Sequence, residues 1–125
     1  KIRGAAGVVT DGPVRDGGAV AETGLPVFCS GTVDPASIGA HFGADLQCPI
    51  ACGGAAVFPG DVIVADADGA VVIPRKLAPD ISKSAPEQEQ LEEFLKSRIA
   101  DGHMTFGTYP PDEETLVAYE AWRNK

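Results

Sequence analysis

The chain has 125 residues, 44% hydrophobic and 22% charged, an ordinary composition for one globular domain with a modest core. Its net charge of −8 argues against nucleic acid as a partner. No apolar run is long enough to span a bilayer and no signal peptide is visible, so no membrane partner and a cytoplasmic location are expected. The three cysteines, Cys29, Cys48 and Cys52, are few and odd in number, which fits free thiols in a reducing compartment. The sequence opens on Lys1 rather than Met and a strand follows almost at once. A chain lacking its front part is the expectation.

The first apolar run, Ala5 to Val9, reads as a buried strand. Asp11-Gly12-Pro13 stops it, since Pro lacks an N–H and Asp and Gly favour turns. Arg15 and Asp16 follow. Arg offers a planar fork that grips a carboxylate with two hydrogen bonds. Asp offers hard oxygen suited to Mg²⁺ or Mn²⁺. Together they suit a small oxo-acid with its acid group on Arg15 and a metal at Asp16. A plain surface ion pair beside a turn is the alternative reading.

Gly18 to Thr23 predicts a short helix stopped by Gly24, and Leu25 to Cys29 a short, largely buried strand. Strand–helix–strand implies parallel pairing of the two strands. Gly31 to Gln47 has no period and reads as a long loop carrying His41 and Phe42. His41 reads as a solvated loop residue. With Cys48 and Cys52 it also leaves a zinc site open, although paired Cys-x-x-Cys spacing is absent and Pro49 follows Cys48.

Pro49 to Cys52 and Ala55 to Phe58 read as two strands around a Gly53-Gly54 bend. Pro59-Gly60-Asp61 is a turn, Asp61 to Asp66 a strand, Asp68-Gly69 a hairpin signal, and Ala70 to Pro74 the returning strand. Asp61, Asp66 and Asp68 read first as turn aspartates and second as a metal cluster. Pro79 to Lys83 predicts a helical turn, and Pro86 a longer helix that it opens, apolar at Leu91, Phe94, Leu95 and Ile99 and ended by Gly102. Asp112 is the expected cap of a last helix with a Leu116, Tyr119, Trp122 stripe, placed against its own subunit or a neighbour. No P-loop, dinucleotide fingerprint or serine nucleophile elbow is present, nor a loop for S-adenosylmethionine.

Three blocks in register carry a family resemblance. They are Gly7 through Asp16, Leu25 through Phe28 with Gly31, and Pro49 through Gly54 running on through Pro59 to Pro74. The sequence resembles the RraA-like family, which includes the class II pyruvate aldolases that cleave 4-hydroxy-4-methyl-2-oxoglutarate. The resemblance implies an α/β fold, a swivelling-domain-like α/β/β sandwich with C-terminal helices and its N-terminal part missing. Residues 1–75 would form the strand-rich core with the Arg-Asp motif. Residues 76–125 would form a helical segment packing on its own or a neighbouring subunit.

The same resemblance implies a metal-dependent lyase that cleaves a 4-hydroxy-2-oxo acid to pyruvate, with oxaloacetate decarboxylation as a side activity. Arg15 would bind the pyruvyl carboxylate and Asp16 would ligate Mg²⁺ or Mn²⁺. It implies a homotrimer or homohexamer with the active site between subunits, and an acid from the neighbour among Glu89, Glu92 and Glu93. Two features depart from the pattern. The aldolases commonly carry an acidic residue three positions after the pair, where this chain has Ala19. They also carry a glycine and a backbone-amide loop well upstream of the Arg, and a separate N-terminal piece would have to supply these. The alternative function is that of the family's name-giving member, a non-catalytic regulator of a ribonuclease acting through protein binding.

Overall fold

The computed structural model describes residues 2–36, 39 and 41–124, in two units, Lys1–Lys76 and Leu77–Lys125. Mixed strands and helices make it an α/β chain. In the first unit β1 (Val8–Val9) and β2 (Val27–Phe28) pair in parallel, Val8 opposite Val27 and Val9 opposite Phe28. The crossover between them is α1 (Gly17–Glu22). The pairing resumes beyond the Asp11-Gly12-Pro13 interruption, where Val14 bridges Thr32 in parallel. The Val14 N–H donates to the Gly31 carbonyl at 2.9 Å and the Val33 N–H to the Val14 carbonyl at 3.0 Å.

Two hairpins follow. In β3 (Ile50–Cys52) and β4 (Ala55–Val57) the register closes on Cys52 opposite Ala55, leaving a two-residue loop. Gly53 and Gly54 have φ of 57° and 81°. Both signs are positive, as the tight hairpin turn that matches strand twist requires. β5 (Val62–Ala65) and β6 (Ala70–Ile73) pair from Val62 opposite Ile73 to Ala65 opposite Ala70. Asp66 Oδ1 accepts from the Asp68 N–H at 2.9 Å and the Gly69 N–H at 3.3 Å, which closes that turn. Asp61 ties the other end: Oδ2 accepts from the Phe58 N–H at 2.9 Å and Oδ1 from the Arg75 N–H at 3.0 Å.

The expectation of a buried first strand is not met, since Val8 and Val9 are 41% and 39% exposed. Among the described residues each strand of this unit has one partner, and a two-stranded ribbon covers neither face of its side chains. Val27 and Phe28 are half-buried. The stretch around His41 is irregular where described, and positions 37, 38 and 40 of the expected loop lie outside the described residues.

The second unit is helical. The expected break before Pro86 does not occur: α2 runs unbroken over Ala78–Ala100 with Pro86 inside. Two prolines in this stretch resemble helix openers, but only Pro79 sits in the first turn, where a missing N–H costs nothing. Pro86 removes one rung of the ladder, and the helix continues past it. Beyond α2, Gly102 turns with φ 93°, and its N–H donates to the Ile99 carbonyl at 3.1 Å. A one-turn segment, α3 (Thr105–Thr108), leads to α4 (Glu113–Arg123). Asp112 caps α4 as expected, Oδ1 accepting from the Thr115 N–H at 2.8 Å. The Thr115 hydroxyl donates to the Gly107 carbonyl at 3.0 Å.

The aromatic stripe of α4 packs on α2 of its own chain. Phe94 lies 5.5 Å from both Tyr119 and Trp122, ring centre to ring centre, in the tilted geometry that aromatic quadrupoles favour. The Arg98 guanidinium sits 5.7 Å over the Phe94 ring. Phe94, Leu95 and Tyr119 are the buried hydrophobic residues among those described, and all three belong to this unit. Among the described residues no helix is long and apolar enough to cross a membrane.

Candidate functional site

Parallel strands place their C-terminal ends side by side, which is where open α/β folds bind ligands. Here the extensions of β1 and β2 end together. Arg15 and Asp16 follow the first, Thr32 and Asp34 the second, and all four line an open hollow of about 450 Å³.

Arg15 Nε stands 3.5 Å from Asp16 Oδ1, with the side chains 54% and 68% exposed. A pair this open is worth about 0–1 kcal/mol, so either partner turns to a ligand at small cost. Asp16 has φ 58° and ψ 38°, left-handed, at the head of α1. Asp tolerates this region better than most residues, yet it remains strained. Its main-chain carbonyl accepts from the Val20 N–H at 2.9 Å, while its carboxylate caps nothing in the helix. The charge is therefore held in the hollow without being consumed by the helix.

Gly17 explains why the helix head can lie so close. A Cβ built there would run into the Thr32 methyl. Asp11, one turn upstream, accepts at Oδ2 from the Gly53 N–H at 3.0 Å, which ties the loop bearing Arg15 to the β3–β4 turn. Ala19 also lines the hollow, so the position where aldolases commonly carry an acid offers a methyl group here.

Thr32 and Asp34 escaped the sequence reading. The available signal was Gly31 following the second strand, which in a parallel pair puts the next residues beside those following the first. The other candidates do different work. Asp61 and Asp66 spend their carboxylates on turn N–H groups. His41 is exposed. Cys29, Cys48 and Cys52 are half-buried free thiols. Among the described residues no group of three or more His, Cys, Asp or Glu side chains is placed to hold a metal, so the zinc reading has no ligand set. Glu89, Glu92 and Glu93 lie on α2, where Glu92 Oε1 accepts from Gln88 Nε2 at 3.1 Å.

Comparison with known proteins gives the same family from sequence and from structure. The family model described as RraA-like, Aldolase/RraA, matches residues 1–72, which include the whole hollow. A Halalkalibacterium halodurans protein named "Putative 4-hydroxy-4-methyl-2-oxoglutarate aldolase" is 38% identical over 109 residues, 87% of this chain and 51% of that protein. The crystal structure of an uncharacterized Pseudomonas syringae protein superposes with a TM-score of 0.76 at 29% identity, over 85% of this chain and 53% of that one. That of Streptomyces coelicolor RraAS2, described as an unusual member of the RNase ES inhibitor RraA protein family, superposes with a TM-score of 0.63 at 36% identity, over 76% and 57%. The chain thus spans about half the length of the Halalkalibacterium relative, 51%. With the family model covering residues 1–72 of 125 and these structures sharing its fold, the chain belongs to the RraA-like family.

Proposed function

We propose that this chain carries the carboxylate- and metal-binding corner of a divalent-metal-dependent carbon–carbon lyase acting on a 4-hydroxy-2-oxo acid. The observation that carries the reading is the weakly held Arg15–Asp16 pair at the mouth of the hollow, with the Asp16 carboxylate unused by its helix. Arg15 binds the substrate carboxylate through its guanidinium fork. Asp16 presents one carboxylate, with Asp34 lining the same hollow. That donor set fits Mg²⁺ or Mn²⁺, which take one or two carboxylates and keep several waters. When bound, such an ion supplies positive charge where the keto oxygen gains electron density as the carbon–carbon bond breaks.

In this reading the hollow is completed in a homotrimer or homohexamer, with Glu89, Glu92 or Glu93 of a neighbouring copy supplying an acid. Location in the cytoplasm belongs to the same proposal. The test is pyruvate release from a 4-hydroxy-2-oxo acid and from oxaloacetate, with and without EDTA. Loss of turnover with chelator and in Asp16→Ala supports the metal role, and equal rates reject it.

A second reading has its own support. The likeness to RraAS2, described as a member of an RNase-inhibitor family, favours a non-catalytic regulator that binds a ribonuclease. Inhibition of a purified ribonuclease by a chain that turns over no 2-oxo acid would favour it.

A further inference from the structure

Charge is unevenly spread around the hollow at the ends of β1 and β2. Among the described residues that line it, Arg15 is the one cation and Asp16 and Asp34 are the carboxylates. No Lys or Arg stands between Arg15 and Arg75 in the sequence. Arg75 lies at the foot of the β5–β6 hairpin, where its main-chain N–H meets Asp61. The Asp34 carboxylate has no hydrogen-bond or ion-pair partner among the described residues. It stands just past Val33, whose side chain is 39% exposed and whose N–H is fixed to the Val14 carbonyl. Ala19 adds a methyl group to the same hollow. The lining is thus cationic at one point and neutral or anionic elsewhere.

We propose that the hollow takes 4-hydroxy-2-oxo acids whose far end is uncharged, in preference to those that end in a second carboxylate. The inference rests on the lyase reading and narrows its substrate class. Arg15 sets one positive charge against two negative ones, so a divalent ion leaves a single positive charge over. One carboxylate neutralises it. A second carboxylate has no guanidinium or ammonium to meet, loses water of hydration and faces the Asp34 charge. An alkyl end meets the Ala19 and Val33 side chains instead and gains by leaving water. Cleavage of such a substrate breaks its C3–C4 bond. The C4 hydroxyl gives up its proton as C4 becomes an aldehyde, the bond pair passes to C3, and C3 takes up a proton to give pyruvate. The second product is a neutral aldehyde.

The test compares 2-oxopentanoate with 2-oxoglutarate, which differ only in a methyl or a carboxylate at the far end. Neither carries a C4 hydroxyl, so neither is cleaved, and binding is read without turnover. Titration calorimetry on the protein loaded with Mn²⁺ gives both dissociation constants. The expected result is tighter binding of 2-oxopentanoate by about tenfold, with the ratio narrowing at high salt. Val33→Arg places a cation on the wall and should reverse the order. Asp34→Asn removes the opposing charge and should bring the two constants together. Circular dichroism checks that both variants fold. Equal binding by the parent, tighter binding of 2-oxoglutarate, or a preference that both variants leave unchanged overturns the inference while the lyase reading stands. Binding of neither acid overturns the lyase reading and this inference with it.

Discussion

The Asp11 carboxylate accepts a hydrogen bond from the Gly53 N–H at 3.0 Å, joining positions 42 residues apart. It anchors the loop that bears Arg15 to the hairpin turn of β3 and β4. Asp11→Ala should cost about 0.5–1.5 kcal/mol, read as a lower denaturation midpoint. Its effect on the proposed lyase should fall on KM more than on kcat, because the loop carries the carboxylate anchor. Asp11→Asn keeps an acceptor oxygen and should recover most of both losses.

Gly17 and Thr32 form a steric pair. Gly17→Ala drives its new methyl into the Thr32 side chain, which is β-branched and stiff. Overpacking of this kind costs about 1–3 kcal/mol, and the displaced helix head should weaken ligand binding at Asp16. Thr32→Ser removes the offending methyl, so the double variant should regain stability and binding. A double-mutant cycle measures the coupling; single-variant effects that simply add, giving zero coupling energy, contradict the contact.

Asp112 gives a pH dependence with a definite sign. Its carboxyl is held below the usual aspartate range, first by the Thr115 N–H and further by the charge of Arg98. A lowered folded value means the unfolded chain binds the proton more readily. The cap's contribution is therefore complete above about pH 3.9, the unfolded value, and is lost as pH falls through the folded one. Thermal melts of Asp112→Asn should show a shallower acid limb than the parent, with the two converging at low pH.

Phe94 is 5% exposed and touches both Tyr119 and Trp122. Phe94→Ala should cost about 3–5 kcal/mol, seen as early loss of helical circular dichroism. Pro86→Ala should raise stability, since Pro in a helix interior costs about 3 kcal/mol. A lowered melting temperature for that variant would contradict a helix continuous through position 86.

Local chemistry made much of this legible in advance. Gly53-Gly54 and Asp68-Gly69 specify their own hairpins, Asp112 caps its helix, and the aromatic stripe falls at helical spacing, because each depends on residues close in sequence. Burial was not legible for Val8 and Val9. An apolar run reports what a strand can bury, while coverage depends on a further layer. Pro86 misled because a helix opener and a tolerated interior proline look alike without the packing. Arg15 and Asp16 stood out as a pair, but the left-handed backbone of Asp16 and the company of Thr32 and Asp34 come from parallel pairing between distant segments.

The most direct measurement is a crystal structure of the protein with Mn²⁺ and pyruvate, read from manganese anomalous density. A manganese peak at the Asp16 carboxylate, with the pyruvate carboxylate on the Arg15 guanidinium, is the expected result. Manganese and pyruvate bound away from that corner, or absent from the crystal at saturating concentration, would contradict the proposed chemistry.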